Sequence, residues 1–246
     1  MMRSALFVLT CLCSLLSFNT YAADNEKPAI TVVELFTSQG CYSCPPADTL
    51  LEKIDLQDNT ITLSCHVTYW NYLGWKDTFS KSYCDNRQRV YQSALKGNRG
   101  VYTPQMVING RYGAVGSRER TVGQAMTIMA RENRIEAVDL QLNTSNGLVI
   151  SLPKIMGDTA QSQAHQLILL GTTGTQTVPI NRGENGGKTL DYHNPIAVVE
   201  HLGRWDGAQK TLSQAIDKHA GVKEWVVLAQ TWPIGEIVAA GKLMVE

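Results

Sequence analysis

Cys41 and Cys44 stand three positions apart in the stretch Glu34-Leu-Phe-Thr-Ser-Gln-Gly-Cys41-Tyr-Ser-Cys44-Pro-Pro-Ala-Asp48. Two thiols at this spacing can close and open a disulfide between themselves, or supply part of a soft-metal site. The surrounding residues favour the first chemistry. Ile30–Phe36 is an apolar run that reads as a buried strand, a polar turn ends in Gly40, and Leu50, Leu51 and Ile54 recur at helical spacing. A cysteine at a helix N-terminus meets unpaired N–H groups and the positive end of the dipole, and both stabilise the thiolate. Cys41 is therefore expected to be the more exposed, attacking thiol, and Cys44 the buried one that resolves a mixed disulfide. The competing readings are a structural disulfide and one half of a zinc site.

Other residues with chemical potential lie just downstream. Cys65 and Cys84 admit three readings: a second disulfide from the second strand to the second helix, two buried thiols, or a relay to the first pair. His66 with Cys41 and Cys44 is a conceivable copper or zinc set. Adjacent strand residues face opposite sides, however, so Cys65 and His66 do not readily bind one ion. No metal and no cofactor is called for. Trp70-Asn-Tyr-Leu-Gly-Trp75 is an aromatic loop placed after the second strand, at the sheet edge where α/β proteins bind ligands. Trp70 and Trp75 read equally well as core cover. His165, His193, His201 and His219 are scattered and read as surface or structural residues.

The elements that must hold these residues follow in order. After the first strand and the helix Cys44–Ile54, Ile61–Tyr69 reads as a second strand, parallel to the first because a helix lies between them. Phe79–Leu95 reads as a helix with Arg87, Arg89 and Lys96 on wet faces. Asn109-Gly110 is a two-residue hairpin signal between Met106–Ile108 and Arg111–Val115. Ser117 is placed to cap a last helix, whose apolar face is Ala125, Ile128 and Met129.

The chain begins with a leader: Arg3 precedes the apolar segment Ala5–Phe18, and small residues follow at Ala22 and Ala23. The reading is a secretory signal peptide over residues 1–23, a periplasmic or secreted mature protein, and no stable membrane span after cleavage. Cys11 and Cys13 leave with it, so four cysteines remain in a compartment that permits disulfides. Basic and acidic residues number 22 each, so no basic excess points to nucleic acid.

Residues 30–133 resemble a thioredoxin-superfamily domain in element order and in the position of the cysteine pair. The resemblance implies that Thr103-Pro104 is the dipeptide before the third strand, with a cis proline lying against the cysteines. Thr103 and Pro104, with Trp70 and Trp75, are then the candidate substrate-binding residues, Thr103 pairing its backbone with an extended segment. A closer resemblance is to a secreted bacterial family catalogued as a domain of unknown function. It is carried by Glu34–Cys41, Cys44–Asp48, His66–Asp77 and Tyr102–Gly110, and in part by Asn181–Gly187. Cys65 and Cys84 fall outside that pattern. Asn181–Gly187 reads either as a functional loop or, the preferred reading, as a surface turn with solvated Arg182 and Glu184.

From Ala137 the texture changes to short apolar runs between glycine-rich turns: Val138–Leu142, Leu148–Leu152, Gln166–Leu170, Thr175–Ile180, Ile196–His201, Trp225–Thr231 and Ile237–Val245. Leu212, Ala215, Ile216 and His219 read as a short helix. The fold class expected is an α/β thioredoxin-like domain, residues 24–135, packed against an antiparallel β-sandwich, residues 136–246. The function expected is thiol–disulfide exchange on a protein thiol or disulfide. The alternatives are a non-catalytic envelope scaffold with a structural Cys41–Cys44 bond, and a soft-metal-binding protein.

Overall fold

The computed structural model describes residues 29–95, 100–132, 134–144, 147–155, 164–216 and 221–245. The proposed leader, Lys96, Asn146 and His219 lie outside these residues. The first half contains β1 (Thr31–Thr37), α1 (Pro45–Asp55), β2 (Thr60–His66), α2 (Ser82–Ala94), β3 (Gln105–Ile108), β4 (Tyr112–Val115) and α3 (Glu119–Glu132). Its sheet has the order β2-β1-β3-β4, with β1 parallel to β2 and the other pairs antiparallel. The β3–β4 turn takes positive φ at Asn109 (50°) and Gly110 (70°), as the Asn-Gly signal implies, but Ile108 pairs with Tyr112, so three residues, Asn109–Arg111, separate the strands rather than two.

Alternation along β1 sorts its side chains between two cores. Val33 and Leu35 pack with Ala47, Leu50, Leu51 and Ile54 of α1 and Val122, Ala125 and Met129 of α3. Val32 and Phe36 face the other way, toward Cys84 and Tyr91 of α2.

That second face is shared with the rest of the chain. Residues 136–244 form β5 (Glu136–Ala137), β6 (Asp139–Leu142), β7 (Gly147–Leu152), β8 (His165–Thr172), β9 (Gln176–Pro179), β10 (Thr189–Tyr192), β11 (Ile196–Trp205), β12 (Lys210–Ala215), β13 (Glu224–Thr231) and β14 (Ile237–Met244). A five-stranded sheet, β11-β8-β13-β14-β5, is antiparallel except where β14 meets β5. A three-stranded sheet, β12-β7-β6, covers one of its faces through Leu148, Ile150, Leu167, Leu169 and Val227. Ile168, Leu170, Val226 and Leu228 point from the opposite face into the same apolar cluster as Val32, Phe36 and Leu63. β8 is buried at every position for this reason. The whole is mixed α/β, with many strands in several sheets.

Three local expectations are corrected. Leu212–Ile216 does not form a helix; Lys210–Ala215 is a strand paired with β7. Leu212 and Ile216 fit both a period of four and two steps of a period of two, and pairing with β7 decides between them. β10 was not foreseen, because Thr189–Tyr192 carries little apolar signal. Arg87 is not on a wet face but is 5% exposed. It answers Glu34, an even-numbered β1 residue buried between the two sheets: Arg87 Nη2 donates to Glu34 Oε1 at 2.8 Å and to Gln230 Oε1 of β13 at 3.0 Å. Tyr91 donates its hydroxyl to Glu34 Oε1 at 2.6 Å.

Cys65 of β2 and Cys84 of α2 form a disulfide, with Cα atoms 5.3 Å apart, inside the shared apolar cluster.

Removing one member of a buried ion pair strands the other without water. Arg87→Met should therefore lower the unfolding free energy by about 3–5 kcal/mol, read by equilibrium urea denaturation. Glu34→Gln added to it should recover part of that loss. A single-variant loss below ~1 kcal/mol, the range of an exposed pair, contradicts the account.

Candidate functional site

The cysteine turn leaves the C-terminal end of β1. Ser38 accepts the Cys41 N–H at its carbonyl (3.1 Å), and Cys41 in turn accepts the Cys44 N–H (3.2 Å). Cys44 is the cap of α1, with helical φ −78° and ψ −38°, and Pro45 takes the first helical position, where a missing N–H is tolerated. Cys41 and Cys44 are joined as a disulfide, with Cα atoms 5.4 Å apart. The helix end thus lies at Cys44, and Cys41 sits one turn before it. Cys41 is not an exposed thiol: it is 2% exposed and Cys44 0%, whereas Tyr42 between them is 69% exposed.

Aromatic residues close the site, and both indoles are tied in by their N–H groups. Trp70 Nε1 donates to Thr103 Oγ1 at 2.8 Å, and Trp75 Nε1 to Gln39 Oε1 at 2.8 Å. Trp70 lies against Gly40; a Cβ there would stand 3.2 Å from the Trp70 Cβ, a tight contact that a larger residue could make only if Trp70 gave way slightly. The Thr103–Pro104 peptide is cis. Cys41, Cys44, Trp70, Trp75, Thr103 and Pro104 therefore belong to one region. Cys65 and Cys84 do not; they lie within the apolar cluster shared with the five-stranded sheet.

Behind the disulfide is a buried polar cluster that the sequence did not announce. His66 Nδ1 meets Asp77 Oδ2 at 2.8 Å, and His66 Nε2 has no hydrogen-bond partner among the described residues. The His66 ring packs edge-on against Phe79 and against Tyr192 of β10. Burial pushes Asp77 up, but the His66 imidazole and the amides of Gln39 and Phe79 outweigh it and hold its carboxyl below the ordinary range. Asp48 lies one helical turn after Cys44, its N–H on the Cys44 carbonyl. Both its carboxyl oxygens are buried and unpartnered among the described residues. Burial, joined by the Asp77 charge, pushes its pKa up to about 7 against the pull of His66. A proton-accepting group that titrates near neutrality thus lies next to the cysteine pair in the chain.

His66 is committed to Asp77 and the four cysteines to two disulfides, so the soft-metal set is not assembled in this state. Among the described residues no other cluster of histidine, cysteine and carboxylate side chains is arranged to hold an ion. A separate cavity of about 1200 Å³ opens near Gly110, Tyr112, His165 and Glu236, at the far end of β3 from Thr103 and Pro104.

Sequence reasoning missed Gln39, Glu184 and Asn185. Asn185 is fully buried, and its Nδ2 donates to the carbonyls of Gln39 (3.0 Å) and Cys41 (2.9 Å). Glu184 is exposed, as expected of a turn residue, and it also accepts the Tyr42 N–H at 3.0 Å. The signals for these contacts were the glycine-rich turn itself and its share in the family resemblance, but its partners lie too far away in sequence to read.

A mixed α/β chain with a disulfide at a strand–helix junction, covered by a second all-strand half, is the class defined by this geometry. Residues 32–230 match the family described as "Protein of unknown function (DUF1223)", and the chain belongs to that family. Protein AGR_C_4864 from Agrobacterium tumefaciens has a similar crystal structure, 33% identical, with a TM-score of 0.76 over 88% of this chain and 95% of that one. HBP35 of Porphyromonas gingivalis shares the fold at 15% identity, with a TM-score of 0.61 over 89% of this chain and 76% of that one. No curated protein matches the chain. No described helix is long and apolar enough to cross a membrane.

The position of Asp48 gives a pH signature. Its pKa is raised from 3.8 to about 7, so the folded protein holds this proton more tightly than the unfolded chain. The stability it confers is fully present below about pH 4 and is lost as pH rises toward 7. Asp48→Asn should therefore gain stability over the parent across that window, by about 2–4 kcal/mol at its upper end. Urea denaturation of the oxidised proteins from pH 4 to 8 measures this; a difference that does not vary with pH contradicts it.

Proposed function

We propose that this protein is an exported thiol–disulfide oxidoreductase whose first half is thioredoxin-like, with Cys41 as nucleophile and Cys44 as resolving thiol. The observation that carries the reading is the Cys41–Cys44 disulfide at the start of α1, followed one turn later by a buried carboxyl that titrates near 7. The cis Thr103–Pro104 peptide and the paired export-compatible disulfides support it.

The exchange balances as follows. In the reduced protein, the Cys41 thiolate attacks a substrate disulfide; one substrate sulfur bonds to Cys41, and the other leaves as a thiolate and takes a proton from water. Cys44 passes its proton to Asp48 and attacks the Cys41 sulfur. The Cys41–Cys44 bond forms, and the second substrate sulfur departs as a thiolate that takes up the proton held by Asp48. Two electrons have moved to the substrate, which is reduced to a dithiol. The reverse sequence oxidises a substrate dithiol, and the potential of the pair decides the direction.

A second reading is favoured by one observation: Cys41 is only 2% exposed. A disulfide so covered serves equally as a structural staple in a binding protein.

Trapping separates the two. Cys44→Ser removes the resolving thiol, so incubation with a disulfide-bonded model peptide should accumulate a covalent adduct on Cys41. Adduct formation should be at least tenfold faster than on Cys44 of Cys41→Ser. Equal or negligible rates in the two variants favour the structural staple.

A further inference from the structure

The residues Gly183–Lys188 belong to the turn between β9 and β10, in the second half of the chain, yet three of them end on the cysteine turn and a fourth on Trp75. Glu184 holds the Tyr42 N–H from 142 residues away. Asn185, fully buried, spends its amide on the carbonyls of Gln39 and Cys41. Lys188 donates to Asn185 Oδ1 at 2.9 Å and stands 4.8 Å from the centre of the Tyr42 ring, over its face. Gly183, at φ +79°, brings its backbone against Trp75, where a Cβ would lie 3.3 Å from the Trp75 Cβ. The turn is braced from within: Gly187 N–H bonds the Ile180 carbonyl at 2.7 Å, and Gly186 N–H bonds the Gly183 carbonyl at 3.0 Å.

A turn that only joined two strands would leave its polar groups to water. Here a buried amide, a carboxylate and an ammonium are all directed at the residues flanking Cys41. We infer that Glu184, Asn185 and Lys188 form a clasp that determines which thiols and disulfides reach the Cys41 sulfur. They are specificity residues of the site: closed, the clasp admits small reagents and excludes protein-sized ones. Released, it frees the Tyr42 N–H and one of the two acceptor positions of the Cys41 carbonyl, the other staying with the Cys44 N–H, for the backbone of an extended polypeptide segment carrying the partner cysteine. The macromolecular substrate is thus a protein that brings such a segment and displaces the clasp, whereas small thiols reach Cys41 without displacing it. This rests on the redox reading above for its biological meaning, though not for its test.

The test uses the full mature chain, chemically reduced, in the parent, Asn185→Ala and Glu184→Ala forms. Alkylation of Cys41 is followed with two probes, iodoacetamide and a 5-kDa polyethylene-glycol maleimide, with mass mapping of the modified residue. The readout is the ratio of the large-probe rate to the small-probe rate, compared with the same ratio for a free cysteine peptide. In the parent the normalised ratio should be at least tenfold below one. Asn185→Ala should raise it about tenfold, and the milder Glu184→Ala, which removes one hydrogen bond, about threefold. Far-UV circular dichroism and the urea midpoint establish that each variant is folded; if Asn185→Ala is not, Glu184→Ala alone decides. Unchanged ratios in the folded variants overturn the clasp and leave the redox reading standing. A clasp that passes while the Cys44→Ser trapping experiment fails would instead be the cover of a structural disulfide.

Discussion

Every polar group of Gln39 is paired inside the protein, and the cysteine turn depends on it. The residue is fully buried. Its N–H is taken by Asp77, its side-chain carbonyl by Trp75 and the Thr78 N–H, its side-chain amide by Thr78, and its main-chain carbonyl by Asn185. A buried amide left half-satisfied costs more than it returns, so such a network either forms completely or opposes folding. Gln39 therefore couples three separate segments, and the position of Cys41 two residues later is fixed by all of them together.

The same logic extends outward. Asp77 accepts the Gln39 N–H through the oxygen that also meets His66, so the buried histidine is oriented by the residue that shapes the turn. Tyr192 of the second half closes over His66. Glu34 lies deeper between the sheets and reaches Gln230 of β13 through Arg87. The five-stranded sheet, with β8 buried throughout, gives both halves one continuous interior. The chemistry in the first half is thus supported, and partly covered, by residues of the second.

Local signals explain what was legible. The Asn109-Gly110 turn, the strand before Cys41 and the helix stripe of Leu50, Leu51 and Ile54 are specified by neighbours in sequence, and each is found where its residues place it. Most of the later strands were readable as apolar runs between turns. Arg87 was misplaced because a charged residue on a helix is ordinarily solvated, and nothing local reveals a carboxylate buried opposite it. Leu212–Ile216 was misread because two periods fit so short a segment. Asn185 and Glu184 were invisible for a different reason: a glycine-rich turn announces its own shape but not the distant backbone it binds. The exposure of Cys41 failed likewise, since the groups that cover it come from remote segments.

The closed surroundings of the disulfide make its chemistry a matter of energy rather than of geometry alone. Asp48, buried and without a hydrogen-bond partner among the described residues, resists ionisation. The reduction potential of the Cys41–Cys44 pair, measured against glutathione or dithiothreitol buffers with Cys65–Cys84 followed separately by mass mapping, tests the account most directly. A pair that exchanges thiols in function should lie above about −300 mV, in the span of known exchange proteins. A potential below about −300 mV, matching structural disulfides, would contradict it.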